Sequence, residues 1–141
     1  MEVSINYLSI ILAGIASMAI GFAWYSNLMF AKPWMKEMKY TQESIKSDQA
    51  SMGKMYALSF VLSLVTAYVL THVMAMSTNF YHYSALSTGL SSAFWMWLGF
   101  IAPVQMTDVM FGKKTWTLFL INTGYQLATV LAMGLIIALM S

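Results

Sequence analysis

The sequence predicts an all-α integral membrane protein, a bundle of four transmembrane helices forming one domain over 1–141. Three observations carry that expectation. Of the 141 residues, 60% are hydrophobic and only 9% are charged, whereas a soluble domain carries about 25% charged residues. A chain this short has too much surface per unit volume to solubilise such a composition. Its charge-free runs are also long enough to cross a ~30 Å hydrocarbon core, at about twenty apolar residues per helix. None of them shows the period-two alternation of a membrane barrel strand. A soluble enzyme, a DNA-binding domain and a disordered tail are thereby excluded.

The first span is expected at about 5–30, uncharged between Glu2 and Lys32. It is too long for the apolar core of a signal peptide and follows an acidic residue, so it is expected to be retained. Residues 32–54 form the one conventional polar stretch. Within it Thr41 is placed to N-cap a short helix, with Glu43 in the first turn favourable to the dipole. Trp34, Met35 and Met38 point to a segment lying on the headgroups; a solvated linker fits equally well. The uncharged run that follows holds two spans, about 55–76 and 84–107, around a turn at Ser77–Tyr83 where Ser and Asn favour reversal. A short connection, DVMFGKKT, leads to the fourth span at about 116–140.

All seven basic residues are lysines. Lys32, Lys36, Lys39, Lys46 and Lys54 fall in the first loop and Lys113 and Lys114 in the third. The positive-inside rule therefore places both loops in the cytoplasm and both termini outside, in a cell inner (plasma) membrane. Arginine is absent, so no guanidinium fork is available for a carboxylate or phosphate. Cysteine is absent too, which removes disulfides and thiolate metal sites.

Met29-Phe30-Ala31-Lys32-Pro33-Trp34 and Met110-Phe111-Gly112-Lys113-Lys114-Thr115-Trp116 form a weak repeat. It reads as two parallel-repeat hairpins about an axis along the membrane normal, or as the aromatic and lysine anchor that any span exiting on that side needs.

Small residues recur at Ala13, Ser17 and Gly21, and at Gly124, Ala128 and Ala132. Such ridges let helix backbones approach where lipid supplies no hydrophobic drive. Ser59, Ser63 and Thr66, like Ser84, Thr88 and Ser92, are expected to bond across helices or to their own carbonyls. The amides resist that explanation. Asn122, Gln126 and Thr129 share one face of the fourth span beside Tyr125, and an unpaired amide in hydrocarbon is costly. Trp24, Tyr25 and Asn27 lie at similar depth on the first span and Gln105 on the third, near Pro103, which weakens that helix. Asp108 is expected to cap the group at the interface. Trp24, Tyr25, Asn27, Gln105, Asp108, Asn122, Tyr125 and Gln126 thus compose a candidate aromatic and amide-lined recess on the cytosolic side. A hydrogen-bonded packing knot is the competing reading.

Trp95, mid-span, is expected to fill space against a small face of a neighbouring helix or to floor the recess. His72 and His82 sit near the outer end without a matched carboxylate or thiolate, and read as interfacial polar residues, not metal or haem ligands. The span cores hold no Asp, Glu or Lys, which removes proton relays. Asp108 is the one conceivable general base, so neither catalysis nor a cofactor is expected.

A larger pattern runs through these residues. Asn6-Tyr7 opens the first span and Gly21-x-x-Trp24-Tyr25-Ser26-x-x-x-Phe30 closes it, with Trp34 just beyond. Gly99-Phe100-x-x-Pro103 marks the third span, and Trp116-x-Leu118-Phe119-Leu120-Ile121-Asn122-x-Gly124-Tyr125 with Met133-Gly134 the fourth. Over nearly its whole length the chain resembles the domain of unknown function 1761 family, small bacterial four-span membrane proteins. It departs at Asn27, where a proline is expected, and at Lys39-Tyr40, where a glycine is usual. The resemblance implies the four-helix fold and no particular activity.

The expected function is binding or transport of a small neutral or cationic solute or a lipid headgroup through the recess. The chain is expected to form a homo-oligomer among membrane lipids, without nucleic acid. A non-transporting structural or accessory membrane subunit is the alternative.

Overall fold

The computed structural model describes residues 3–141, so Glu2 lies outside the described residues. The helices run α1 (Tyr7–Trp24), α2 (Ala31–Met38), α3 (Gln42–Ser47), α4 (Gln49–Tyr81), α5 (Ala85–Met96), a π-helical turn (Trp97–Ile101), α6 (Ala102–Gly112) and α7 (Trp116–Leu139). Four stretches are long and apolar enough to cross a membrane: Tyr7–Trp24, Gln49–Tyr81, Ala85–Gly112 and Trp116–Leu139. They mark the chain as a membrane protein. Its outer faces carry exposed Leu12, Leu58, Val65, Val104 and Leu120, the surface a lipid solvent requires.

Several helix ends differ from those the sequence suggested. Capped by Asn6, α1 stops at Trp24, well short of residue 30. Tyr25 leaves helical geometry, and Phe30 N–H then donates to the Trp24 carbonyl and Ala31 N–H to that of Ser26. The first loop is mostly helical. Thr41 N-caps α3 as expected, although the reciprocal capping bond comes from Ser44. At its far end α4 continues to Tyr81, through most of the expected turn. The reversal needs only residues 82–84, with His82 in the left-handed conformation and the Ser84 side chain capping α5. At 1.5 Å per residue α4 is about 50 Å long, and the polar start at 49–54 accounts for about 9 Å of its excess over the ~30 Å hydrocarbon core.

The third span is interrupted where Ala102 N–H reaches back five residues to the Trp97 carbonyl. Pro103 explains the wide turn. Its ring would press on the carbonyl of Gly99, four residues back, and it has no N–H to offer that carbonyl. One extra residue in the turn relieves the clash.

The bundle is organised around α7, which touches α1, α2, α4, α5 and α6. Its buried Val130, Met133, Ile137 and Ala138 meet Ile10 and Ala13 of α1, Ala67, Leu70 and Met74 of α4, and Ala93 of α5. Asn6 Nδ2 donates to the Met140 carbonyl at 3.0 Å, which ties the start of α1 to the end of α7 at the end opposite the lysine-bearing loops.

The tightest approach lies between α5 and α7. A Cβ built on Gly89 would fall 2.4 Å from the Gly134 carbonyl oxygen, and one on Gly134 would fall 2.4 Å from that of Gly89. Ala138 and Ala93 flank this crossing, so each helix supplies a small-xxx-small pair, Gly89 with Ala93 and Gly134 with Ala138. The ridge expected at Gly124, Ala128 and Ala132 is a different one; of these Gly124 has its own partner, the Trp24 ring.

The two Met-Phe-small-Lys segments take different local structures. The first turns into α2, whereas the second ends α6 at Gly112, with Lys113 left-handed before Thr115 caps α7. Their similarity does not extend to loop geometry.

Candidate binding site

At the lysine-bearing end α7 shows different side chains to different neighbours. Asn122 faces α1 and accepts a hydrogen bond of 2.7 Å from the Tyr25 hydroxyl. Tyr25 is held there by the end of α1, and its ring meets Tyr125 edge to face at 5.3 Å and Trp34 of α2 at 5.5 Å. Gly21 matters one turn earlier. A Cβ there would lie 3.2 Å from the Tyr125 hydroxyl, so the missing side chain makes the seat that Tyr125 occupies.

These rings wall a cleft between α1, α4 and α7. Its outer part, about 260 Å³, lies among Tyr25, Tyr56, Tyr125 and Ser59. A further part of about 200 Å³ adjoins it at Ser59 and Tyr125 and extends to Ser17, Gln126 and Thr129. No charged side chain lines either part. Hydroxyls, one amide and aromatic edges supply the polarity, as in sites that recognise uncharged hydrogen-bonding groups.

Among the described residues two buried hydroxyls have no hydrogen-bond partner, Thr88 Oγ1 on α5 and Oγ1 of Thr129, a residue bordering this cleft. A buried polar atom left unsatisfied in an apolar bundle is costly. Ser63 and Thr71 avoid that cost by bonding back to the carbonyls of Phe60 and Ala67; Thr129 does not.

On the other flank of α7 sits Trp97. Its indole N–H donates to the Thr123 carbonyl at 3.0 Å, while Trp24 donates to the Ile121 carbonyl at the same length. The two indoles grip α7 from opposite helices, and Gly124 makes room for the Trp24 ring.

The fold therefore gathers Trp24, Tyr25, Asn122, Tyr125 and Gln126 at or behind one cleft, and separates three other residues from it. Asn27 is exposed in the turn after α1, where the early end of that helix leaves it. Gln105 accepts from the Thr123 hydroxyl, because the widened turn before Pro103 brings α6 against the far flank of α7. Asp108 does not cap the group. It is an exposed residue in an ion pair with Lys114 across the α6–α7 reversal. Trp95, 65% exposed, lines no part of this cleft and borders instead a separate cavity between α4 and α5; the inward indole is its neighbour but one, Trp97. His72 bonds the Tyr68 carbonyl, and no metal-holding cluster occurs among the described residues.

Tyr56, Ser59 and Trp97 are lining or gripping residues that the sequence reading did not place in the recess. A signal existed for the first two. Tyr56, Ser59, Ser63 and Thr66 recur at helical spacing, a polar stripe on an otherwise apolar span, and they line the cleft with Tyr125 and Gln126 of α7.

A family model described as "Protein of unknown function (DUF1761)" matches residues 8–138. Neither a curated protein nor a solved structure matches the chain.

Proposed function

Because the chain belongs to the DUF1761 family, whose description names no activity, we propose from the site alone that it is a binding or transport protein of the cell membrane. The cleft between α1, α4 and α7 takes a small solute or lipid headgroup by hydrogen bonds to hydroxyl and amide groups and by contact with tyrosine rings. One observation carries this reading: an uncharged cleft between α1, α4 and α7 is lined by Tyr25, Tyr56, Ser59 and Tyr125 and, further in, by Ser17, Ser63 and Gln126. Cationic solutes remain compatible through the aromatic faces. The protein is proposed to act without catalysis, as a homo-oligomer among membrane lipids.

Native mass spectrometry of the purified protein tests the proposal. The wild type is expected to retain a ligand, and Asn122→Ala and Tyr125→Phe to lose it. Asn122→Ala also removes the acceptor of the Tyr25 hydroxyl, which costs about 1–3 kcal/mol if that hydroxyl is left unsatisfied. Lowered stability in both variants, with no ligand retained by any form, would instead favour a structural or accessory role.

Orientation is proposed from the lysines, which put the cleft in the cytoplasmic half of the membrane and both termini outside. A topology reporter fused after Ser141 is expected to report a non-cytoplasmic position. A cytoplasmic signal there would invert the arrangement and open the cleft to the other side.

A further inference from the structure

Thr66 and Val130, which border the inner part of the cleft, also border an apolar channel of about 270 Å³ between α4 and the π-helical turn. Val69, Leu70, Phe100 and Ile101 line this channel. The three spaces border one another pairwise along α4, sharing Ser59 and Tyr125 at the first boundary and Thr66 and Val130 at the second. Polarity drops at the third space. Tyrosine, serine, threonine and glutamine share the lining of the first two with Met18, Phe22, Leu62, Val130 and Met133, whereas aliphatic and phenyl groups almost alone line the third.

Resting on the reading that the cleft is a binding site, we infer that its ligand is an amphiphile with an uncharged, hydroxyl- or carbonyl-bearing head and an apolar tail. The head lies among Tyr125, Gln126 and Thr129, and the tail follows the channel between α4 and the π-helical turn. Three physical arguments support this assignment. First, no cation lines the head end, so a phosphate would be buried without a counter-charge, which apolar surroundings penalise heavily. Second, Thr129, whose Oγ1 is buried without a hydrogen-bond partner, borders the inner space next to Val130, which the apolar channel shares. Third, the channel opens beside the exposed Phe100 and Val69, so a tail can enter sideways from lipid. Pro103 contributes indirectly, because the wide turn it imposes includes Ile101 of the channel wall.

The test uses native mass spectrometry of the full-length protein in detergent with three probes: 1-oleoylglycerol, dioleoylphosphatidylglycerol and glycerol. Retention of 1-oleoylglycerol is expected, with weaker retention of the anionic lipid and none of glycerol. Thr129→Val keeps the shape and removes the hydroxyl. It is expected to weaken 1-oleoylglycerol by about tenfold while the melting temperature of the ligand-free protein stays level or rises, because an unsatisfied buried group has gone. Val69→Trp, which fills the channel from its lipid side, is expected to weaken the same probe. Glycerol binding that depends on Thr129 and ignores Val69→Trp would overturn the tail assignment and leave the binding reading standing. Equal retention of the anionic lipid would overturn the uncharged head. Failure of all three probes, where an endogenous ligand is nonetheless retained, would overturn the amphiphile alone; failure of every ligand would overturn both readings.

Discussion

Gly134→Val is expected to unfold or severely loosen the bundle. The added Cβ would meet the Gly89 carbonyl oxygen at 2.4 Å, and that obstacle is backbone, with no rotamer to move aside. Overpacking a well-packed interior typically costs about 1–3 kcal/mol, and an obstruction by main chain places this substitution at the upper end or beyond. Gly89→Val meets the reciprocal barrier. The two are expected to be non-additive, since either one already parts the helices. Gly14→Ala should be milder, because its nearest neighbour is the end of the Leu64 side chain, which can rotate. Gly53 is the control. Nothing lies within 4 Å of a Cβ there, and a glycine in a helix interior is worse than alanine by roughly 0.5–1 kcal/mol. Gly53→Ala should therefore leave stability unchanged or improve it. Thermal unfolding followed by circular dichroism in detergent would decide; a Gly134→Val protein that melts with the wild type rules out the close α5–α7 crossing.

Trp24→Ala and Trp97→Ala form the second large effect, each expected to cost about 3–5 kcal/mol as large aromatics removed from packed positions. Their phenylalanine variants separate packing from hydrogen bonding. Trp24→Phe and Trp97→Phe keep much of the contact area but lose the indole donors to the Ile121 and Thr123 carbonyls, at about 0.5–1.5 kcal/mol each. Those carbonyls remain bonded within α7, so no acceptor is stranded and the smaller figure applies. Trp95→Ala gives the contrast. With 65% of its surface exposed it faces lipid, and its loss should shift stability by less than about 0.5 kcal/mol. If Trp95→Ala melts lower than Trp97→Ala, the inward role assigned to Trp97 fails.

The tryptophans show how far a linear reading reaches. Trp95 and Trp97 are two residues apart in a helix, hence on nearly opposite faces, but composition alone does not say which one faces protein. The π-helical turn after Met96 complicates the phase further, because one extra residue rotates everything that follows. Gln105 illustrates the consequence. Its depth suggested company with Asn122, whereas the shifted phase sets it against Thr123 on the other flank of α7. Asp108 failed for a different reason. A carboxylate near the interface finds a lysine more cheaply than an aromatic recess, and Lys114 stands just across the reversal.

Tyr25, Asn122 and Tyr125 were legible because their argument was energetic and did not depend on phase. An amide two turns into an apolar span must be paired, and the tyrosine at matching depth on α1 supplies the partner. Tyr56 went unplaced, and Ser59 was read only as a helix-bonding hydroxyl, because serine and tyrosine near a helix end are common enough to need no further explanation. They acquire one only when α4 is seen to lie over the same part of α7.

Class, number of spans and the gathering of lysines at one end were determined by the sequence itself. Each is a matter of composition and length set against a slab of fixed thickness, and neither requires knowing which helix touches which. The choice of α7 as the central helix, the Gly89–Gly134 crossing and the cleft beneath α4 were decided only by the tertiary structure. Most faces of these helices are apolar enough for lipid, so hydrophobicity alone does not rank them. Shape fit between small residues and the pairing of a few polar groups settle the contacts instead, and both are properties of two surfaces brought together, which no single helix carries in its own pattern.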